Sequence, residues 1–343
     1  MWTTVSRTDH RRLSTGGRAA RTLKFGAATL CLAAVSVTTG CGGENTGSES
    51  SVTVATSSNG LSFLPIMVAE ENGYYKDAGL NVTQTSVKGG STGLSALAGG
   101  SAQFYAGLPE SLISASAAGS EAKIISALTQ TNDYKIVSSS GIDSLSQLSG
   151  KKFGMLNEGN GTDVQPKQVL DDAGVGSESV QFIASGSVSD RLSALEAGQI
   201  DATILNTPFE FQAEEAGFNT IADLSDEVDD YPAQVIMSGT KTLEDKPETV
   251  KEFLKATNKA TKFINENPDE VTQIAVESTG IEKNLVQKGL KEFISTKHYS
   301  ESGEVSDEGL EWASKTLSNY TDQNIPADLD DLVDLSYLPG GES

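Results

Sequence analysis

Side chains suited to covalent or metal chemistry are scarce in this 343-residue chain, which has two cysteines, Cys31 and Cys41, and two histidines, His10 and His298. A Cys–His nucleophile pair, a Cys/His metal centre or a Ser–His–Asp triad cannot credibly be assembled from them. His298 stands in "FISTKHYS", a polar run in which a surface imidazole is expected. What the chain carries instead is a set of Gly-, Ser-, Thr- and Asn-rich loops where strands give way to helices: "SSNGLSF" (57–63), "KGGSTG" (88–93), "GLPES" (107–111), "NEGNGTD" (157–163) and "NTPFE" (206–210). Free N–H groups at helix starts, hydroxyls and amides suit reversible capture of a small molecule. The candidate contacts are Asn59, Ser62 and Phe63; Gly90, Ser91 and Thr92; Leu108, Pro109 and Glu110; Asn157, Asn160, Gly161 and Thr162; and Asn206, Phe209 and Glu210. Phe63, Tyr105 and Phe209 could wall an apolar part of the ligand. No catalytic residue, metal ligand or cofactor is expected.

The charge of that ligand stays open at this stage. Glu110, Glu158, Asp163 and Glu210 lie in these loops, and Lys88 is the one base among them. Carboxylates turned inward would favour a neutral or amine-bearing heterocycle. Turned outward, as first-turn helix stabilisers, they would leave the helix N-termini free for an oxyanion such as a sulfonate or nitrate.

The elements that must position these loops alternate between strand and helix. "VTVAT" (52–56) reads as a strand and "LSFLPIMVAEENG" as a helix closed by Gly73. A phrase then occurs twice. "LSALAGGSAQFYAGLPE" (94–110) and "LSALEAGQIDATILNTPFE" (192–210) each run Leu-Ser-Ala-Leu, a glycine (Gly100, Gly198), a β-prone stretch and a proline (Pro109, Pro208). Each copy predicts one helix–strand–helix step, so the chain is α/β with mostly parallel strands. The two copies predict that Pro109–Glu110 and Pro208–Phe209 face each other across a cleft. "DYKIVSSSGI" (133–142) and "YPAQVIMSGT" (231–240) form a second matching pair, and they predict where the chain crosses into an inserted lobe near 138 and returns near 236. The expected organisation is lobe 1 at 52–137 plus 237–343 and lobe 2 at 138–236, consistent with a length above that of a usual single core. Beyond 240 the pattern is helical, with Val250, Phe253, Leu254 and Ala256 apolar.

The first 40 residues read as an address. Arg7, Arg11, Arg12, Arg18, Arg21 and Lys24 precede an apolar run from Phe25 to Val37 and then "TTGCGG", which has the order of a secretory signal. Cys41 in that context resembles the lipidated cysteine of a bacterial lipobox, although Thr38 stands where leucine is usual, and "GGENTGSESS" has the composition of a flexible tether over 41–51. Arg11-Arg12 leaves general and twin-arginine export both open. Removing residues 1–40 would take six bases and one acid from a formal net charge of −22, leaving −27. That balance argues against nucleic acid or an anionic membrane surface as a partner.

"PIMVAEENGYYKDAGLNV", the two "LSAL…G" phrases, "SLSQLSGKKFGM", "EAGQIDA" and "KPETVKEFLKATNKATKFINENPDEV" together resemble the solute-binding proteins of bacterial ABC importers. The closest group is the aliphatic-sulfonate, taurine, nitrate and thiamine-pyrimidine binders, the SsuA/THI5-like family, and the likeness covers nearly all of 52–340. It implies a two-lobed periplasmic-binding-protein type II fold with a two-strand hinge, in which each lobe is a mostly parallel sheet flanked by helices. It also implies a monomer, lipid-anchored at the outer face of the bacterial cell membrane, that closes on a small molecule and delivers it to a permease. A surface sensor module on the same fold would read alike. A pyrimidine-forming enzyme of the THI5 type would need a Cys-rich motif that is missing here. One departure is visible: Gln103 stands where the second copy has Asp201, and the family writes an acid at both places.

Overall fold

The structure is a computed structural model that describes residues 49–326 and 328–340. The signal, Cys41 and most of the tether lie outside the described residues. The described residues belong to one compact unit built on two five-stranded sheets. The first segment supplies β1 (Ser50–Thr56), α1 (Leu64–Glu71), α2 (Tyr74–Asp77), β2 (Leu80–Ser86), α3 (Gly90–Ala98), β3 (Phe104–Gly107), α4 (Glu110–Ser116) and β4 (Lys123–Ala127). The middle segment supplies β5 (Tyr134–Ser138), β6 (Lys152–Met155), α5 (Gly161–Asp172), β7 (Gln181–Ala184), α6 (Val188–Glu196), β8 (Ala202–Asn206), α7 (Phe209–Glu215) and β9 (Asn219–Asp223). The chain closes with β10 (Val235–Ser238), α8 (Thr240–Asp245), α9 (Pro247–Glu266), α10 (Pro268–Thr279), α11 (Lys283–Ser295) and α12 (Asp307–Tyr320).

The sheet orders are β2-β1-β3-β10-β4 and β7-β6-β8-β5-β9, one topology written twice. In each sheet three parallel strands adjoin one antiparallel strand, β10 in the first and β5 in the second. Both antiparallel strands carry a register shift against their outer neighbour, at Ile236/Met237 and Ile136/Val137. The echo is therefore structural. The helices α3 and α6 occupy equivalent places, and Gly100 (φ 71°) and Gly198 (φ 65°) each end the turn with a left-handed residue. The one departure from the repeat keeps its role. Asp201 accepts the Lys152 N–H at 2.9 Å, and Gln103 accepts the Thr53 N–H at 2.8 Å. An amide oxygen does for β1 and β3 what a carboxylate does for β6 and β8.

The second matching pair, 133–142 and 231–240, also occupies equivalent places, but each strand joins the sheet the chain is entering. β5 pairs with β8 and β9, and β10 with β3 and β4. The sheet-to-sheet crossings are therefore 128–133 and 224–234, upstream of the expected points near 138 and 236. A third stretch binds to them. Gln130 donates its N–H to the His298 carbonyl at 2.8 Å, Ser300 donates to the Leu128 carbonyl at 3.0 Å, and Leu128 donates to the Gln234 carbonyl at 2.8 Å.

The face of α9 that carries Val250, Phe253, Leu254, Ala260 and Ile264 is buried. Phe253 stacks between Tyr75 (5.1 Å) and Phe104 (4.1 Å), which fixes this helix on the first sheet. Among the described residues no helix is long and apolar enough to cross a membrane.

Candidate functional site

The two lobes meet along the carboxyl ends of their parallel strands, where ligands of open α/β sheets lie. The meeting follows a cross-over rule: the segment after β1 meets the end of β8, and the segment after β6 meets the end of β3. Leu61, after β1, donates its N–H to the Thr207 carbonyl, after β8, at 3.1 Å. Gln165, on the helix that follows β6, donates to Glu110, after β3, at 2.7 Å. The two prolines therefore do not face each other as the echo suggested. Each echo instead faces the opening loop of the other copy, because a pseudo-twofold relation places unlike loops across the junction.

At the junction lies a cavity of about 20 Å³, room for about one water molecule. The first lobe lines it with Ser57, Ser58, Tyr105, Leu108 and Ser111, and the second with Tyr134, Leu156, Asn160, Thr162, Ser187, Val188 and Arg191. It adjoins an outer groove of about 660 Å³ through Ser111 and Asn160, which line both; Gly90, Ser91, Asn157, Glu158 and Gln323 line the groove.

Arg191 is the residue that the loop reading missed. It is buried, with 3% of its surface exposed. Its Nε and Nη2 donate to the Ile204 carbonyl at 3.1 and 3.0 Å, and its Nη1 donates to the Gly186 carbonyl at 2.9 Å. One N–H on each terminal nitrogen is left over. Among the described residues no carboxylate forms an ion pair with it. Burial pulls its pKa down to about 10, so it is charged at neutral pH. A signal for it stood in the sequence: Arg191 is the sole arginine after residue 21, in a chain that otherwise uses lysine. Around it lie the Tyr105 hydroxyl, which meets the Ser57 and Ser111 hydroxyls, and the buried Asn206 amide, both ends of which lack a partner. Asn206 pairs with Tyr134 in the β5–β8 register, and Gln234 lies beside Tyr134. Burial pushes the Tyr105 hydroxyl up to about 12, so it is a donor.

Of the loop residues expected to contact ligand, Leu108, Asn160 and Thr162 line the cavity. Asn206 and Asn157 present unpartnered buried atoms beside it or its groove. Asn160 also caps α5 by accepting the Thr162 N–H at 2.9 Å. Gly90 and Ser91 border the outer groove, while Thr92 is exposed and Gly161 packs on Leu108. Asn59 donates to the Ser278 carbonyl on α10 at 2.8 Å. Phe63 and Phe209 belong to the hydrophobic core rather than the cavity wall, and Pro109 precedes α4 as a buried helix start.

The acids stand apart from the cavity lining. Asp163 pairs with Lys167 at 2.8 Å, Glu158 is exposed, and Glu110 accepts from Gln165 and Tyr231. Glu210 accepts the Thr207 hydroxyl at 2.7 Å. Burial pushes Glu210 up to about 8, with the Thr207 hydrogen bond and Lys135 opposing the rise and Asp133 adding to it. Its native pKa thus lies above the ordinary 4.5. Its contribution is complete below that value, declines as pH rises, and is lost beyond about 8. Glu210→Gln should leave the urea midpoint near pH 4.5 almost unchanged and make the protein more stable at pH 9, by a few times the ~1.4 kcal/mol of one pKa unit.

His298 is buried rather than exposed. Its Nδ1 meets the Thr131 hydroxyl at 2.7 Å and its Nε2 meets the Ser62 hydroxyl at 3.2 Å, while its ring packs at a tilt against Phe293, centroids 3.7 Å apart. Burial pulls its pKa down to about 3. Ser62 donates to Asp133 at 2.8 Å, so serine, histidine and aspartate do meet. Their wiring is not that of a hydrolase, because the acid holds the serine and not the imidazole. All three are buried beside the crossings and tie α11 and the first loop to the segment 128–133.

A two-lobed α/β clamp with a polar cavity between duplicated sheets is the architecture of periplasmic binding proteins. The sequence description NMT1/THI5 like matches residues 61–271, and the chain belongs to that family. No curated protein sequence matches. A solved protein from Bordetella bronchiseptica is similar at 24% identity, covering 84% of this chain and 96% of that one, with a TM-score of 0.74. The alkanesulfonate-binding protein SsuA from Xanthomonas axonopodis pv. citri, bound to MOPS, is similar at 15% identity, over 81% and 94% of the two chains, with a TM-score of 0.68. The ligand-binding component of an ABC-type import system from Staphylococcus aureus is similar at 14% identity, over 84% and 97%, with a TM-score of 0.70.

Proposed function

We propose that this chain is an extracytoplasmic solute-binding lipoprotein that captures a small organic oxyanion between its lobes and hands it to the permease of an ABC importer. The observation that carries the ligand class is Arg191, a buried guanidinium with no carboxylate partner among the described residues, beside cavity hydroxyls and the unpartnered Asn206 amide. An oxyanion accepts from all of these donors at once, whereas an amine would meet a like charge. The named neighbours in Xanthomonas and Staphylococcus are binding components, and this supports a binding role. Cys41 would carry the lipid and hold the protein at the outer face of the membrane.

Capture proceeds by closure about the crossings 128–133 and 224–234. Tyr105 and Ser111 approach from one lobe, Arg191 and Asn206 from the other, so a bound solute favours the closed state through contacts that the open state lacks. The cavity is far smaller than any organic solute, so the lobes must part to admit one and close around it less fully than they do without it. The test is a thermal-shift panel of sulfonates, nitrate, pyrimidines and amines. A sulfonate or related oxyanion at 100 times its Kd should stabilise the protein by ~2.7 kcal/mol. Stabilisation by amines or pyrimidines alone would overturn the oxyanion assignment, and no shift with any compound would overturn solute capture itself.

A further inference from the structure

Glu110 is a carboxylate shared by both lobes. It begins α4 of the first lobe and is 0% exposed. Its Oε1 accepts from Gln165 Nε2 on α5 of the second lobe and from the Tyr231 hydroxyl on the second crossing, each at 2.7 Å. Gln165 Nε2 also reaches the Tyr231 hydroxyl at 2.6 Å, and Asn132 on the first crossing donates to Gln165 Oε1 at 3.1 Å. Gln165 of the second lobe and Tyr231 of the second crossing thus converge on one carboxyl of the first lobe, with Asn132 of the first crossing behind Gln165. Its second oxygen, Oε2, is buried without a partner.

No cation answers that charge. Among the described residues Glu110 forms no ion pair. From α5 it meets neutral Gln165; of that helix's charges, Asp163 and Lys167 are engaged with each other, Asp171 accepts from Tyr320 and Asp172 accepts from Gln168. From the second crossing it meets Tyr231, and from β5 Tyr134, both held protonated by burial. Trp312 of α12 packs edge-on against Tyr231 at 5.3 Å. A buried carboxylate with no counter-ion is far costlier than a buried carboxylic acid. We propose that closing the lobes captures a proton at Glu110, so that solute affinity strengthens as the surroundings become more acidic. The proposal rests on the lobe-closure reading above.

Parted lobes leave Glu110 open to water, with an ordinary value near 4.5, and closure raises it through desolvation, against the hydrogen bonds from Tyr231, Gln165 and its own backbone N–H. The closed state therefore binds more protons in the interval above that ordinary value. Closure weakens as pH rises through the interval, by up to tenfold per pH unit for one proton, and is constant below it.

The experiment needs no solute. Small-angle scattering of the chain from residue 41 onward, in which Trp312 is the remaining tryptophan and its fluorescence reports on Tyr231, is followed from pH 4.5 to 8.5. The radius of gyration should grow with pH and the Trp312 signal should change with it. Glu110→Gln should abolish the step and stay compact throughout. Gln165→Leu keeps the carboxyl but removes its partner across the junction, and should move the step to lower pH. Asp133, Glu210 and His298 titrate at the other contact and remain in both variants, so a step that survives Glu110→Gln belongs to them and overturns the proposal. A pH-independent wild type overturns it equally. If circular dichroism shows Glu110→Gln unfolded, Gln165→Leu decides, and an unmoved step overturns the proposal. Because no solute is added, this result and that of the ligand panel can fail independently.

Discussion

Arg191→Met should weaken binding of the oxyanion that stabilises the protein most by at least about 100-fold, read by titration calorimetry. Removing one partner of a buried, hydrogen-bonded charge pair costs about 2–5 kcal/mol, and each tenfold in Kd is about 1.4 kcal/mol. The side chain suits the role because its position is fixed before a ligand arrives. Three N–H groups are committed to the Ile204 and Gly186 carbonyls, so the remaining two face a defined direction without further loss of rotamer freedom. Arg191→Lys keeps the charge but cannot hold both carbonyls, and an intermediate loss of about tenfold is expected from the missing fork. Uncharged ligands should be nearly indifferent to both changes. If Arg191→Met binds the oxyanion as tightly as the wild type, the guanidinium serves only to brace β8 and α6, and the ligand class must be sought elsewhere in the cavity.

The duplicated topology was legible because its carriers are local. Leu-Ser-Ala-Leu followed by glycine fixes a helix and its end, and a strand follows whatever surrounds it. Even the Gln103 exception was readable as a backbone-ordering position, since an amide oxygen accepts as a carboxylate does. The crossings were misplaced for a physical reason. A strand's sequence states that it pairs, not with which sheet, and β5 and β10 each read equally well as the last strand of one lobe or the first of the next. Burial of polar groups was the least legible feature. "STKHYS" looks solvated, yet His298 is covered by Phe293 and Tyr299 from around the same turn and held by Ser62 and Thr131 from far along the chain. Of the loop acids, left open between inward and outward, Glu110 and Glu210 are buried as well. Glu110 and Glu210 begin helices, where acids are common, and their full burial depends on how the lobes meet.

Gly60→Val should separate closing from recognition. Gly60 has φ −66° and ψ 171°, ordinary extended backbone that valine adopts freely, so the first lobe itself is not strained. The obstruction lies across the junction: a Cβ at this position would stand 2.1 Å from Asn206 Nδ2 and 3.3 Å from the Thr207 carbonyl oxygen, both on the second lobe. Asn206 is fully buried and has little room to withdraw. The adjacent Leu61–Thr207 hydrogen bond across the lobes would be forced open as well. Parted lobes accommodate the valine and closed lobes do not, so the cost falls on the closing equilibrium. Over-packing of a buried side chain costs about 1–3 kcal/mol, and a 100-fold loss in the closing equilibrium is about 2.7 kcal/mol, so the Asn206 amide contact is severe enough to supply it. The expected outcome is a larger radius of gyration by small-angle scattering and a loss of affinity of at least about 100-fold for every ligand class, charged or not. Arg191→Met should instead spare uncharged ligands and leave the lobes able to close. Should Gly60→Val bind as the wild type does, contact between residues 60–61 and 206–207 is not needed for capture, and closure about 128–133 and 224–234 is not the mechanism.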